Sequence, residues 1–214
     1  MTPPSPAAAP PTTQAAGTVA SVCVYCGSGP GLNPAYVAAA QTLGSAFAAG
    51  GIRLVYGGGS LGLMGEVARA TLAGGGTVTG IIPAFLSGKE RMLRDVDELI
   101  VTDNMHERKM LMYQRSDAFV ALPGGIGTLE ELVEQLTWSQ LGQHNKPIVV
   151  ANIDGFWSPF LSLLQHMKSD AFIRAGLEVR FVVVDRAEQI VPAIRAAAAG
   201  SDSAPATGDL VAKF

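Results

Sequence analysis

The sequence predicts an α/β fold: a doubly wound, Rossmann-like and mostly parallel sheet of about seven strands, with helices on both faces. Short β-branched apolar runs alternate with stretches of helical periodicity, which is typical of repeated β–α units. Several runs are apolar throughout, as expected of parallel strands that helices cover on both faces. Ligands of such sheets bind outside the carboxyl ends of the strands, so the segments that follow the strands are candidates for a site.

Each element is predicted from an apolar run or from helical spacing. The predicted strands lie at residues 19–25, 52–56, 77–82, 98–101, 118–122, 147–151 and 179–184. The predicted helices lie at residues 34–49, 63–73, 105–116, 129–141, 159–167 and 187–198. A longer loop is expected at residues 83–96, and it contains Glu90, which is either a solvated charge or a functional residue.

The length of 214 residues favours one domain. We expect it at residues 19–198, between a disordered N-terminal tail of residues 1–18 and a flexible C-terminal tail of residues 199–214. The net charge of −3 gives no basic surface for nucleic acid or for an anionic membrane. No apolar run reaches transmembrane length and no signal peptide is recognised, so we expect a cytoplasmic protein.

The two cysteines, Cys23 and Cys26, form one C-x-x-C pair within an apolar run. A redox pair belongs at an exposed helix N-terminus, and one such pair supplies too few ligands for structural zinc. We therefore interpret both cysteines as small hydrophobic residues of a buried strand. We expect neither a metal site nor a cofactor.

The loop after the second predicted strand, residues 57–65, contains a G-x-G-x-x-G match. Such a loop before a helix can bind phosphate, here through Gly58 and Gly59. A dinucleotide site also needs an acidic residue about 20 positions further on, and residues 79–83 contain none. Generic phosphate or ribose binding is therefore favoured over NAD, and close packing of the helix against its strand is the alternative. The turn after the first strand contains Ser28, which either contacts a phosphate or forms the turn.

The segment at residues 123–131 is Pro-Gly-Gly-Ile-Gly-Thr-Leu-Glu-Glu. Pro123 ends the fifth strand because it lacks an N–H group. Thr128 is placed to cap the following helix, with Glu131 completing a capping box. A glycine-rich turn before a helix also binds anions. In that second interpretation, Glu131 lies beside a phosphosugar and stabilises a developing sugar cation.

The segment Met-His-Glu-Arg-Lys at residues 105–109 begins a helix after the fourth strand, with Asp103 or Asn104 as its N-cap. These charges are either an ordinary helix surface or part of the site at the sheet edge. Arg108 can offer paired donors to a phosphate or to a leaving group. His106 has too few neighbouring ligands for a metal site.

Together these segments resemble the LOG family, the cytokinin riboside 5′-monophosphate phosphoribohydrolases, which are often labelled lysine decarboxylase-like. The resemblance rests on Pro-Gly-Gly-x-Gly-Thr-x-x-Glu at 123–131 and on Met-His-x-Arg-Lys at 105–109. Gly-Gly-Gly-Ser-x-Gly-x-Met-Gly at 57–65 and Cys-Gly-Ser at 26–28 match as well. It covers about residues 19–195 and leaves out both predicted tails.

The resemblance implies hydrolysis of a nucleoside 5′-monophosphate to a free base and ribose 5-phosphate. The base is an N6-prenylated adenine, with AMP as a weaker substrate, and no metal or cofactor takes part. The catalytic pair is Arg108 and Glu131, and the enzyme is a homodimer. The expected nucleotide contacts are Gly27, Ser28, Gly58, Gly59, Glu90, Met105, Lys109, Gly124, Gly125, Gly127, Thr128, Glu130 and Thr137.

Three other functions stay open from the sequence. A non-catalytic nucleotide or cofactor carrier could use the same loops, although it would not need Arg108 and Glu131. A decarboxylase would need a pyridoxal-bearing lysine, and Lys109 is the only lysine at the start of a helix at the ligand edge. An NAD oxidoreductase lacks the carboxylate that would bind the ribose.

Overall fold

A computed structural model describes residues 19–87, 92–174 and 176–201, and it confirms the predicted α/β class. Within these ranges seven parallel strands form one sheet in the order β4-β3-β2-β1-β5-β6-β7. The strands are β1 (Ser21–Tyr25), β2 (Arg53–Tyr56), β3 (Val78–Pro83), β4 (Glu98–Thr102), β5 (Ala118–Ala121), β6 (Ile148–Ala151) and β7 (Val182–Val184). The helices are α1 (Pro34–Gly50), α2 (Gly62–Ala73), α3 (Ala84–Ser87), α4 (Met105–Gln114), α5 (Ile126–Gln140), α6 (Ser158–Ser169) and α7 (Ile190–Ser201).

The sheet separates two hydrophobic cores because successive residues of a strand point to opposite faces. Val22 and Val24 of β1 pack with α1, α2 and α7 on one face. Cys23 and Tyr25 of the same strand pack with α4, α5 and α6 on the other face. Both faces of β1 are therefore covered, which explains why its sequence is apolar throughout. No helix of the described ranges is both long enough and apolar enough to cross a bilayer.

The strand order reverses between β1 and β5. From β1 the chain adds strands outward to β4 on one side, and it then returns to build β5, β6 and β7 on the other side. The two loops that leave β1 and β5 diverge at this point, and such a switch point forms the ligand crevice of doubly wound sheets. The N–H of Gly27 donates to the carbonyl of Pro123 at 3.0 Å, so the two loops are joined at the base of this crevice.

The start of α5 differs from the prediction. The helix begins at Ile126 rather than at residue 129, and its N-cap is Gly125, which supplies no side-chain hydrogen bond. The predicted cap at Thr128 and its capping box with Glu131 are therefore wrong. Thr128 is already inside the helix, and Glu131 faces α4 instead of reaching back to the helix start.

Other boundaries moved by three residues or fewer. The predicted loop at 83–96 contains the single helical turn α3, and the last helix continues to Ser201, three residues past its predicted end. A turn of 3-10 helix, Ala187–Gln189, precedes that last helix. These shifts leave the order of the β–α units unchanged.

Candidate functional site

The start of α4 is fixed by its cap. The Oδ1 atom of Asn104 accepts from the N–H of Glu107 at 3.0 Å, which confirms one of the two predicted N-caps. The Glu107 carboxylate accepts in turn from the N–H of Asp103 at 2.8 Å. This reciprocal arrangement satisfies N–H groups that a helix start leaves free. It holds the first turn of α4 so that Arg108 points inward, where it is buried.

Arg108 and Glu131 form a buried ion pair between α4 and α5. The Nη1 atom of Arg108 donates to Oε1 of Glu131 at 2.6 Å, and its Nε atom donates to the carbonyl of Ile81 at 3.1 Å. Its Nη2 atom lies 2.5 Å from the point where a Cβ on Gly57 would be. The structure therefore brings together the two residues that were predicted as catalytic, against the ends of β2 and β3.

The environment of Glu131 favours proton transfer. Burial raises the pKa of its carboxyl group, while the charge and hydrogen bond of Arg108 act in the opposite direction. The nearby charge of Glu130 raises the pKa further. A carboxylate with a raised pKa is a stronger base, and perturbed carboxylates of this kind are typical of catalytic sites.

A second ion-pair cluster lies beside the first. The Nζ atom of Lys109 donates to Oε1 of Glu130 at 2.6 Å and to Oε1 of Glu134 at 2.8 Å. Lys109 and Glu130 were predicted contacts, whereas Glu134 was not predicted. Its position four residues after Glu130 on α5 places both on one helix face, and this spacing could have identified it.

The N-terminus of α5 is open. Its first helical hydrogen bond runs from the N–H of Leu129 to the carbonyl of Gly125 at 3.0 Å, so earlier N–H groups have no acceptor within the helix. A Cβ added to Gly125 or to Gly127 would meet nothing within 4 Å. The first N–H groups of the helix, which have no acceptor within it, and the helix dipole suit an anion such as phosphate.

The glycine loop between β2 and α2 is crowded instead. A Cβ on Gly62 would overlap the backbone of Ser28, and one on Gly58 would lie 3.2 Å from Ile82. The N–H of Met64 donates to the carbonyl of Gly27 at 3.3 Å. Close packing between the two loops accounts for these glycines, which favours the alternative that the sequence left open.

Gly27 and Gly124 are crowded as well. A Cβ on Gly27 would lie 2.9 Å from the carbonyl oxygen of Gly29, and one on Gly124 would overlap the side chain of Thr128. Ser28, which follows Gly27 in the turn after β1, is exposed.

The other predicted residues are spread around this edge. Met105 is half-buried at the start of α4, and His106 beside it is exposed. The hydroxyl of Thr137 donates to the carbonyl of Val133 at 2.8 Å on the exposed side of α5. Gly59 forms an isolated bridge with Met92. Glu90 lies outside the described residues.

Both cysteines are free and buried, as predicted. Burial raises the pKa of both thiols, so they stay protonated and pack as hydrophobic groups. Among the described residues, no cluster of three or more His, Cys, Asp or Glu side chains is arranged to hold a metal ion.

A family described as "possible lysine decarboxylase" matches residues 64–194. A probable cytokinin riboside 5′-monophosphate phosphoribohydrolase from Oryza sativa subsp. japonica is 49% identical over 170 residues, which cover 79% of this chain and 75% of the relative. The cytokinin riboside 5′-monophosphate phosphoribohydrolase of Rhodococcoides fascians is 45% identical over 185 residues, which cover 86% of this chain and 93% of the relative.

Among solved structures, the Moco carrier protein of Chlamydomonas reinhardtii is similar to this chain with a TM-score of 0.61 and 26% identity. The match covers 84% of this chain and 98% of that chain. Its sequence identity is well below that of the two phosphoribohydrolases.

Proposed function

We propose, because this chain belongs to the family of cytokinin riboside 5′-monophosphate phosphoribohydrolases, that it hydrolyses the N-glycosidic bond of such nucleotides. Water adds to C1′ of the ribose, the bond from C1′ to the base nitrogen breaks, and the base leaves with the electron pair and takes up a proton. The products are the free base and ribose 5-phosphate. The single observation that carries the proposal is the buried pair of Arg108 and Glu131 beside an open helix N-terminus.

The phosphate of the substrate fits the start of α5, where the first N–H groups of the helix lie and a Cβ added to Gly125 or Gly127 would meet nothing within 4 Å. The ribose then lies near Glu131, one turn further along the helix. Cleavage of an N-glycosidic bond builds positive charge on the sugar, which a carboxylate stabilises. Glu131 either supplies this negative charge or accepts the proton of the attacking water.

Arg108 holds Glu131 in place and positions a positive charge near the reacting bond. Its Nη1 and Nε atoms are engaged by Glu131 and Ile81, so its Nη2 atom is the part that faces the loop at Gly57. From there it can bind the ribose or the leaving base. The proposed nucleotide contacts around them also include Ser28, Gly59, Glu90, Met105, Lys109, Thr128, Glu130 and Thr137. Gly27, Gly58 and Gly124 shape the same edge through close packing.

We keep a homodimer and a cytoplasmic location as parts of this proposal. Several apolar side chains are exposed beside the site, among them Ile126 and Val133 of α5 and Met110 of α4. A contiguous exposed apolar surface usually meets a partner. We propose that a second copy of the chain covers these side chains.

The test is release of free base from isopentenyladenosine monophosphate and from AMP. Glu131→Gln should lower kcat by about 100-fold or more, because it removes the carboxylate but keeps its shape. Glu98→Gln, which breaks the exposed pair with Arg115, is the matched control and should keep full activity. Thermal unfolding of each variant must accompany the assay, because breaking a buried pair also lowers stability.

The pH profile gives a second readout of the same prediction. The carboxylate acts in its charged form, and its pKa is raised above the ordinary glutamate value of 4.5. Activity should therefore be kept at neutral pH and lost as the pH falls through a midpoint above that value. Base release by the wild type that is no faster than base release by Glu131→Gln would contradict the proposal.

A carrier is the second candidate, because the Moco carrier protein has the same fold. The identity of 45–49% to phosphoribohydrolases, against 26% to that carrier, favours hydrolysis. Tight nucleotide binding without base release, unchanged by Glu131→Gln, would favour the carrier instead.

The family description "possible lysine decarboxylase" finds little support at Lys109. Burial opposes the charge of Lys109, but the hydrogen bonds and charges of Glu130 and Glu134 outweigh it and raise its pKa. A lysine that forms a Schiff base needs a lowered pKa instead. An absorbance band of bound pyridoxal phosphate would reopen this function.

A further inference from the structure

The two carboxylates that bind Lys109 have different surroundings. Both contact Nζ, at 2.6 Å for Glu130 and 2.8 Å for Glu134. The Glu130 side chain is 52% exposed, whereas that of Glu134 is 20% exposed. The second carboxylate oxygen of Glu134, Oε2, is buried without a hydrogen-bond partner among the described residues. Glu130 can therefore be hydrated when it loses Lys109, whereas Glu134 can be hydrated only in part.

This asymmetry matters because the site is negative before any ligand arrives. Arg108 and Lys109 carry two positive charges against the three negative charges of Glu130, Glu131 and Glu134, a net charge of −1. A nucleotide phosphate adds more negative charge. The ammonium group of Lys109 has three N–H donors, of which Glu130 and Glu134 engage two. A phosphate gains most from the charge of Lys109 when one of these carboxylates gives up its hydrogen bond.

The two possible exchanges differ in free energy. If Lys109 left Glu134, a partly buried carboxylate would lose its cation while its buried Oε2 atom already lacks a partner among the described residues, and a buried charge without a partner is destabilising. If Lys109 left Glu130, water would replace it at an exposed carboxylate at little cost. Ligand binding should therefore displace Glu130 and leave Glu134 in place.

We propose that Glu134 is a positioning residue that anchors Lys109 at the site, while Glu130 is the carboxylate that yields to the nucleotide. The inference rests on the proposed function, in which Lys109 contacts the phosphate-bearing substrate. Without the anchor, Lys109 would pair only with Glu130 at the surface, and the ligand would compete with that pair. Glu134 itself does not contact the substrate, so its effect passes through Lys109.

The experiment measures the Kd of ribose 5-phosphate by calorimetry for the wild type, Glu134→Gln, Lys109→Met and the double variant. Glu134→Gln should weaken binding by about fivefold in the wild-type background, as expected for one partly buried charged hydrogen bond. In the Lys109→Met background it should change the Kd by less than about twofold, because its partner is gone. In the base-release assay, Glu134→Gln should raise KM by the same factor and leave kcat unchanged.

Glu98→Gln is the control for loss of a carboxylate. Its partner is Arg115, the C-cap residue of α4, which is the helix that carries Lys109. Tighter or unchanged binding in Glu134→Gln, or an equal loss in the Lys109→Met background, would overturn the inference. If the wild type binds ribose 5-phosphate but releases no base, the proposed function fails and the Kd values still decide the role of Glu134. If the wild type releases base but does not bind ribose 5-phosphate, the inference about Glu134 fails and the proposed function stands.

Discussion

A methyl group added to Gly57 or Gly62, in the loop after β2, would meet Arg108 or the backbone of Ser28. One added to Gly125 or Gly127, at the start of α5, would meet nothing within 4 Å. The two loops resemble each other in sequence, since both are glycine-rich and both lead from a strand into a helix. In the first loop the glycines allow close contact with other parts of the chain, whereas in the second loop they leave room for a ligand.

The difference shows how a glycine motif at a sheet edge should be interpreted. Missing side chains allow close approach of any group, whether it belongs to the same chain or to a ligand. The crowded loop after β2 packs against the turn after β1 and against the guanidinium of Arg108, so it shapes the site indirectly. The open loop is the better candidate for direct contact with phosphate. Substitutions in the two loops should therefore have effects of opposite sign on stability.

The largest effect is expected at Gly62. Its φ of +57° is unfavourable for other residues, and an alanine Cβ would overlap the backbone of Ser28. Gly62→Ala should lower the free energy of unfolding by about 3–4 kcal/mol, from strain and overpacking together. Gly75→Ala is the matched control, because Gly75 has a φ of +76° but open space around its Cβ. Equal losses in denaturant unfolding for both variants would show that the loop contact contributes nothing.

A smaller loss of stability is expected at Gly57, with a larger loss of activity. Its Cβ would lie 2.5 Å from Nη2 of Arg108 and 3.0 Å from Sδ of Met64, both of which are ends of flexible side chains. Gly57→Ala should cost about 1–2 kcal/mol in stability. Because Arg108 must shift relative to Glu131, kcat should fall by about 100-fold. Full activity in a folded Gly57→Ala variant would mean that the position of Arg108 is not critical.

The smallest change in stability, and the only gain, is expected at Gly127. It lies within the first turn of α5, and its Cβ would meet no other atom. Gly127→Ala should raise the free energy of unfolding by about 0.5 kcal/mol, because alanine loses less backbone entropy in a helix. The Kd of ribose 5-phosphate should rise about tenfold, as expected when one methyl group enters a fitted site. A stabilised variant with unchanged affinity would move the phosphate away from this loop.

Much of the fold follows from the sequence because its signals act over short distances. Apolar runs mark β1 and its neighbours, helical spacing marks α1 and α2, and Asn104 caps α4 through a residue three positions away. These local patterns set the order of the β–α units, and that order places the motifs after β2, β4 and β5 at one edge of the sheet. The family resemblance then identified Arg108 and Glu131, which lie 23 residues apart on different helices.

Only the tertiary structure determined the contacts between those elements. Glu131 faces α4 and pairs with Arg108, so the predicted capping box does not form and α5 starts three residues earlier. Glu134 joins Lys109 only because α4 and α5 lie side by side. The sequence also could not predict whether each glycine packs against its own chain or faces open space, because loops far apart in sequence supply the neighbouring atoms. The sequence determines local conformation over a few residues, but burial and charge at this site arise from contacts between elements that only packing brings together.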